Sequence, residues 1–379
     1  MPAGAPSPVP DLTAGHRPSS PLCMRPLRTF GLIATSVAVP IALALRFAVL
    51  YRERAGFPAR HPPAETPDAY GLAWEPVAIP SHGAILPGWF IPASSVGAAS
   101  RVGAASSPGP TPCVVLVHGW SSNRARMLPH AAFLHAAGFH TLAFDVRGHG
   151  ENTEERLPIS AAEFGADTAA AIDVACARPD VASVGILGHS MGGAGAAIAA
   201  ARRPRTRALV ITSAPADPRL LVRETFRMAR LPIPSPVAVP LAWVTAQLYS
   251  RPRGIGPGAA SARRAVAAYG GPVLVAQGDA DEIIPIRDLH ILERAARGRS
   301  GADATTEMLV VSGGAHRWLY ESEPYRRGVA SFLAAALGGG RDPEAASAAA
   351  AAVPIARPAG TDDPLIPERA VRGRTTTAA

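Results

Sequence analysis

From Cys113 onward the chain alternates in a way that few folds accept. Apolar runs recur at 113–118, 139–145, 183–188, 207–212, 272–277 and 307–311. Helical stretches fill most of the gaps, at 124–137, 160–178, 190–203 and 286–297, and a last one covers 322–337. The centres of these runs are apolar at consecutive positions, not at every second one. Strands of that kind are buried on both faces, which requires a mostly parallel sheet with helices on each side. Two earlier strands, 75–80 and 84–91, flank Ser81, His82 and Gly83 as a hairpin. The predicted fold class is α/β.

One interval breaks the alternation. Residues 213–270 hold two helical pieces, 218–230 and 237–250, studded with prolines. That is too long for a plain connection and predicts a small helical cap over one end of the sheet. Leu220, Leu221, Phe226, Met228, Leu231, Val237, Leu241, Trp243 and Leu248 make it apolar. They either pack the cap on the core or line an acyl or lipid pocket.

The ends of the chain read differently. Residues 1–29 and 339–379 are rich in Pro, Ala, Ser or Gly and are predicted to be disordered. Residues 52–74 read as a linker, and 92–112 as a low-complexity loop. Between them, Phe30 to Tyr51 carries a single charge, Arg46, and is long enough to span a bilayer. The expectation is a single-pass anchor over 30–51. The alternatives are a signal peptide that starts at Met24 and is cleaved near Ala42–Ala44, and a buried core helix. Arginines flank both sides, so charge does not set an orientation.

The formal net charge of +8 suggests an acidic partner, but its make-up argues otherwise. All 37 basic residues are arginine, scattered singly or in short pairs such as Arg202–Arg203. No long basic run exists, so nucleic acid is not expected as a partner. The cysteines, Cys23, Cys113 and Cys176, form no disulfide framework and no zinc spacing. Cys113 and Cys176 read as small core residues.

The chemistry centres on Gly188, His189, Ser190, Met191 and Gly192. An apolar strand precedes this pentapeptide and a small-residue helix follows it. Gly-x-Ser-x-Gly in that context places a serine on a strained turn with its hydroxyl exposed. A serine hydroxyl needs a base, and the base needs an orienting acid. Both should stand at strand ends. After the run 272–277 come Asp279, Asp281 and Glu282; the spacing to Pro285 selects Asp281 as the acid, with Asp279 as alternative. After the run 307–311, His316 lies in a glycine-rich loop and is the candidate base. The backbone amides of Met191 and of Trp120, after Gly119, are candidates to hold the oxyanion. The Trp120 ring either walls the acyl site or packs under the cap. His118, His149 and His189 are expected to shape turns, Asp145 and Arg147 to tie down a loop, and Asn123 to cap a helix.

With these motifs in order, the chain resembles the α/β hydrolases over residues 75–338. The matching motifs are His118-Gly119-Trp120, the Asp145–Gly150 stretch, Gly188–Gly192, Gly278–Asp281 and His316 with its preceding glycines. Within that family it is similar to the serine aminopeptidase and monoacylglycerol-lipase-like branch, including its members with an N-terminal membrane anchor. The resemblance implies an eight-stranded, mostly parallel sheet, no metal and no organic cofactor. The expectation is a membrane-associated serine hydrolase that cleaves a small-molecule or lipid ester through an acyl-enzyme. Alternatives are a serine peptidase or amidase, an acyltransferase of the same fold, and a non-catalytic binding module.

Overall fold

The computed structural model describes residues 25–94 and 109–359, with side chains from residue 38. The chain divides into two compact units, one ending at Arg46 and one starting at Phe47. In the first, the described part is the start of helix α1 (Arg25–Ala55), which contains Pro40. Val39, Ile41, Leu43 and Leu45 are exposed along it. Helix thus begins at Arg25, inside the stretch 1–29 expected to be disordered; the residues before it lie outside the described ones. Among the described residues, no helix is long and apolar enough to cross a membrane. The expected span 30–51 falls partly on side chains outside the description. Its last residues differ from the expectation for a physical reason. Phe47 and Tyr51 pack edge-on against Phe226, which makes them part of the second unit.

The second unit is built on one sheet of eight strands in the order β1-β2-β4-β3-β5-β6-β7-β8. The strands are β1 (Glu75–Ser81), β2 (Ala84–Ile91), β3 (Thr111–Val117), β4 (His140–Phe144), β5 (Val181–His189), β6 (Thr206–Thr212), β7 (Val273–Gly278) and β8 (Thr306–Val311). β1 and β2 are antiparallel, β2 meets β4 antiparallel, and the strands from β4 to β8 across the sheet run parallel. This is the expected mostly parallel sheet. The β1–β2 hairpin turns on His82 and Gly83, both with positive φ (45° and 84°). That is the turn whose twist matches paired strands.

Alternation along β3 shows how the sheet is covered. Val115 and Val117 point to one face, and Val114 and Leu116 to the other. On the first face lie α3 (Ala161–Ala177), α4 (Met191–Arg202), α7 (Ala262–Ala268) and α8 (Ile286–Arg297). On the second lie α2 (Leu128–Ala136), α9 (Glu323–Leu337) and α10 (Pro343–Ala352). Cys113 is buried in β3, and Cys176 is half-buried in α3. α3 and α4 approach closely because glycine stands at their contact. A Cβ on Gly195 would lie 2.4 Å from Cβ of Phe164, and one on Gly165 would lie 2.5 Å from the Ile198 side chain.

Helix α10 contradicts the reading of 339–379 as disordered. Asp342 caps it, accepting the amides of Glu344 and Ala345 at 3.3 and 3.1 Å, and Pro343 opens it. Arg326 of α9 donates to the last carbonyls, Ala350 and Ala351, at 3.1 and 3.0 Å. Ala346 and Ala350 are buried. Low complexity here is a short alanine helix with a cap and an apolar stripe. Residues 95–108 and 360–379 lie outside the described ones. The reading of 52–74 as a plain linker also gives way: α1 runs to Ala55, a short 3-10 helix spans Pro67–Tyr70, and Leu72 is buried.

Between β6 and β7 the chain forms α5 (Pro218–Met228) and α6 (Ser235–Tyr249). The apolar residues of this interval divide. Phe226 and Leu241 pack into a small cluster with Phe47 and Tyr51. Leu221 and Met228 line a cavity. Leu231, Val237 and Trp243 are exposed.

Candidate active site

Ser190 ends β5 and opens α4 with φ 55° and ψ −123°, a region that side chains with a Cβ rarely adopt. The surrounding packing holds it there. Its N–H donates to the Thr212 carbonyl at 2.8 Å, and its own carbonyl accepts from Gly193 at 2.9 Å. The flanking glycine is a steric requirement. A Cβ on Gly192 would lie 2.3 Å from the carbonyl oxygens of both Val117 and His118.

The structure brings Ser190, His316 and Asp281 together from three strand ends. His316 Nε2 lies 3.1 Å from Ser190 Oγ, and His316 Nδ1 lies 2.8 Å from Asp281 Oδ2. The Asp281 side chain is fully buried. Its other oxygen accepts the amides of Ile283 and Ile284 at 2.9 and 2.8 Å. Those bonds aim the carboxylate at the imidazole and keep a proton on Nδ1, so Nε2 faces the serine as an acceptor. Asp279 does something else: it accepts the Gly313 amide at 2.6 Å and so ties the loop after β7 to the loop that carries His316.

Met191 is the first residue of α4, so its amide has no acceptor in the helical ladder. The loop after β3 passes directly over the serine; a Cβ on Gly119 would lie 3.2 Å from Ser190 Cβ. Among the described residues, neither the Trp120 nor the Met191 amide donates to a backbone carbonyl outside the helices and strands. His118 shapes this loop. Its Nδ1–H donates to the Gly119 carbonyl at 2.8 Å, and its Nε2 accepts the Val146 amide at 3.1 Å. Burial holds this imidazole neutral, with a pKa of about 4. His149 is likewise neutral through burial, at about 3, and donates to the Arg147 carbonyl at 2.9 Å.

The loop after β4 is locked by buried ion pairs. Asp145 pairs with Arg124 and accepts the Arg124 and Glu151 amides at 2.7 and 3.1 Å. Arg147 pairs with Asp167, whose carboxylate also accepts Ser81 Oγ at 2.6 Å. Asn123 accepts the Ala125 amide at 2.9 Å and caps the short helix Arg124–Met127. His189 packs on His316 with ring centroids 4.9 Å apart. Burial first, and then the neighbouring His316, keep its pKa well below the ordinary value. It therefore adds no charge beside the imidazole that would receive the serine proton.

Above the serine lies an apolar cavity of about 260 Å³. Ser190, Met191 and Trp120 line it together with Leu221, Met228 and Ile284. The Trp120 ring packs on residues of the sheet's own loops and helices and not under the cap helices. It lines the cavity, and it also packs on His149 and Phe164 with centroids 5.4 and 6.5 Å away. Sequence reading did not find Tyr51, Ala55, Ile159 and Tyr249, which also line the cavity. They lie far apart in the chain, and no local pattern marks them. Among the described residues, no cluster of His, Cys, Asp and Glu could hold a metal ion.

The comparisons with known proteins agree with this architecture. The model of the serine aminopeptidase family S33 matches residues 108–253. The esterase Pf2001 of Pyrococcus furiosus aligns with a TM-score of 0.55, covering 74% of this chain and 100% of that one at 21% identity. DcsB, solved in complex with a substrate analogue, aligns with a TM-score of 0.50, covering 70% and 100% at 16% identity. By its sheet and these likenesses, the chain has the α/β-hydrolase fold.

Proposed function

We propose that the chain is a serine hydrolase that cleaves carboxylic esters through an acyl-enzyme. The observation that carries this reading is the relay Ser190 Oγ, His316 Nε2 and Nδ1, Asp281 Oδ2, with contacts of 3.1 and 2.8 Å. Ser190 attacks the ester carbonyl while His316 takes its proton. The oxyanion that forms accepts from the amides of Met191 and Trp120. His316 then gives the proton to the departing alkoxide, and the alcohol leaves. Water, deprotonated by His316, attacks the acyl-enzyme and releases the acid. Asp281 holds the imidazole in orientation and offsets its charge when protonated.

The family match favours a second reading, a peptidase that accepts free amino termini. Such a substrate needs a carboxylate open to its ammonium group. Asp217 is the acidic residue among the described cavity-lining ones, and its oxygens already accept the Arg219 amide and Ser261 Oγ at 3.1 and 3.2 Å. The apolar lining suits an ester better.

A fluorophosphonate probe tests the nucleophile. Wild type should be labelled and Ser190→Ala should not; a folded wild type that stays unlabelled would overturn the reading. Parallel assays with p-nitrophenyl esters and aminoacyl-p-nitroanilides separate esterase from peptidase.

We also propose that the uncharged run 30–45 attaches the chain to a membrane, a reading that rests on its composition. Carbonate extraction of membranes checks it: the full-length chain should stay in the pellet. A mature N-terminus just after Ala44 would show a cleaved signal instead.

A further inference from the structure

Two residues of the cavity wall come from a segment that precedes the hydrolase sheet. Tyr51 and Ala55 lie at the end of α1, ahead of β1, and both line the cavity that holds Ser190. The Tyr51 ring is fixed on several sides. It stands edge-on to Phe226 and to Tyr249, with centroids 6.1 and 6.2 Å away, and stacks on Phe47 at 6.4 Å. Its hydroxyl lies 2.9 Å from Thr225 Oγ1. Thr225 donates its own proton to the Val222 carbonyl at 2.7 Å, so the tyrosine is the donor in this pair.

The backbone at the end of this helix is tied down as well. The Tyr249 hydroxyl lies within reach of the carbonyls of Ala55 and Ile159, at 3.0 and 2.7 Å. The Ile159 amide donates to Gly56 at 2.8 Å. A ring held this way cannot swing aside for a long substrate without breaking a hydrogen bond and three aromatic contacts.

We propose that Tyr51 is a specificity-determining residue that sets the length of acyl chain the cavity accepts. The inference rests on the reading of Ser190 as nucleophile. The size of the cavity names the substrate class. An apolar cavity of about 150 Å³ takes up benzene, with six carbons. In proportion, one of about 260 Å³ takes on the order of ten carbons. The favoured substrates are esters of medium-chain carboxylic acids, about six to ten carbons long. Truncating Tyr51 would join the space of its ring to the cavity and admit longer chains. Enlarging Ala55, on the same helix, would shorten the space without removing any contact.

The test measures kcat/KM of the full chain on p-nitrophenyl esters from acetate to palmitate. Wild type should peak at medium chains. Tyr51→Ala should raise the ratio of laurate to butyrate hydrolysis by roughly tenfold or more, because each methylene placed in an apolar pocket is worth at least that factor. Tyr51→Phe keeps the ring and should keep the wild-type profile. Ala55→Leu should move the optimum to shorter acids, and it serves where Tyr51→Ala does not fold. Active variants whose chain-length ratios match wild type for both Tyr51→Ala and Ala55→Leu would overturn the inference and leave the nucleophile reading intact. A wild type that neither hydrolyses any ester nor reacts with fluorophosphonate would instead remove the reading beneath it.

Discussion

Asp281 and His316 meet through a single 2.8 Å contact, while the second oxygen of Asp281 is held by two backbone amides. Asp279, two residues earlier, spends its carboxylate on the Gly313 amide. The two acids therefore have separable jobs. Asp281→Asn should lower kcat by roughly 10³- to 10⁴-fold, since the amide favours the wrong tautomer. Asp279→Asn should leave kcat within about tenfold and lower the unfolding midpoint instead, because it loosens a loop tie. Steady-state kinetics beside thermal unfolding of both variants separates the two. A larger kinetic loss for Asp279→Asn would reassign the acid.

Gly192 predicts a steep local sensitivity. A Cβ there would sit 2.3 Å from two carbonyl oxygens, those of Val117 and His118. Either the helix or the loop carrying Trp120 must move. A shift of about 1 Å near reacting groups costs on the order of 100-fold in rate. Gly192→Ala should show at least that loss in ester hydrolysis. Gly256→Ala, where a Cβ meets nothing within 4 Å, should behave as wild type.

Acid should weaken the fold through its buried imidazoles. Burial lowers His118 to about 4, and His130 and His149 to about 3, from an ordinary value of 6.5. In this window the unfolded chain binds protons that the folded chain refuses. Stability is therefore complete above about pH 6.5 and falls as pH drops toward 4, by on the order of 1 kcal/mol per pH unit for each such group. The urea midpoint should decline from pH 7 to pH 5. His130 packs among Phe133, Tyr320 and Tyr325. His130→Phe should flatten that decline by about one proton's worth. An unchanged slope would mean that His130 is not held neutral.

The C-terminal helix should report its anchor. Arg326 donates to the carbonyls of Tyr320, Glu321, Ala350 and Ala351, each within 3.0 to 3.1 Å. Hydrogen bonds from a charged group contribute about 1.5–3 kcal/mol. Arg326→Met should cost about 2–4 kcal/mol in urea unfolding, with kcat per folded molecule retained. No change in stability would show that α10 holds itself.

Much of this molecule was legible because its signals are local. The β3 run 111–117 is apolar at nearly every position because both of its faces are covered. The serine turn shows in the chain as two glycines around Ser190, because a Cβ on Gly192 would meet the Val117 and His118 carbonyls and one on Gly188 the Gly192 carbonyl. His316 and the Asp279–Asp281 pair stood at strand ends, where the sequence could place them but could not measure one carboxylate against the other. The rest depends on distance along the chain. Tyr51 bonds Thr225 across 174 residues, and no pattern near Tyr51 encodes that partner. Helix α10 did carry a signal, Asp342 followed by Pro343 and Glu344, and its alanine content concealed it.

Helix α4 runs Met191 to Arg202 as MGGAGAAIAAAR, with glycine and alanine at almost every inward position. Such a helix has little bulk to give up: a side chain at Gly192, Gly193 or Gly195 adds atoms where the Val117 and His118 carbonyls, Ala214 and Phe164 already leave no room. Random mutagenesis should therefore return almost no tolerated changes from 192 to 200. A directed-evolution library aimed at new substrates belongs on the movable walls, around Leu221, Met228 and the end of α1, and should leave the nucleophile's helix untouched.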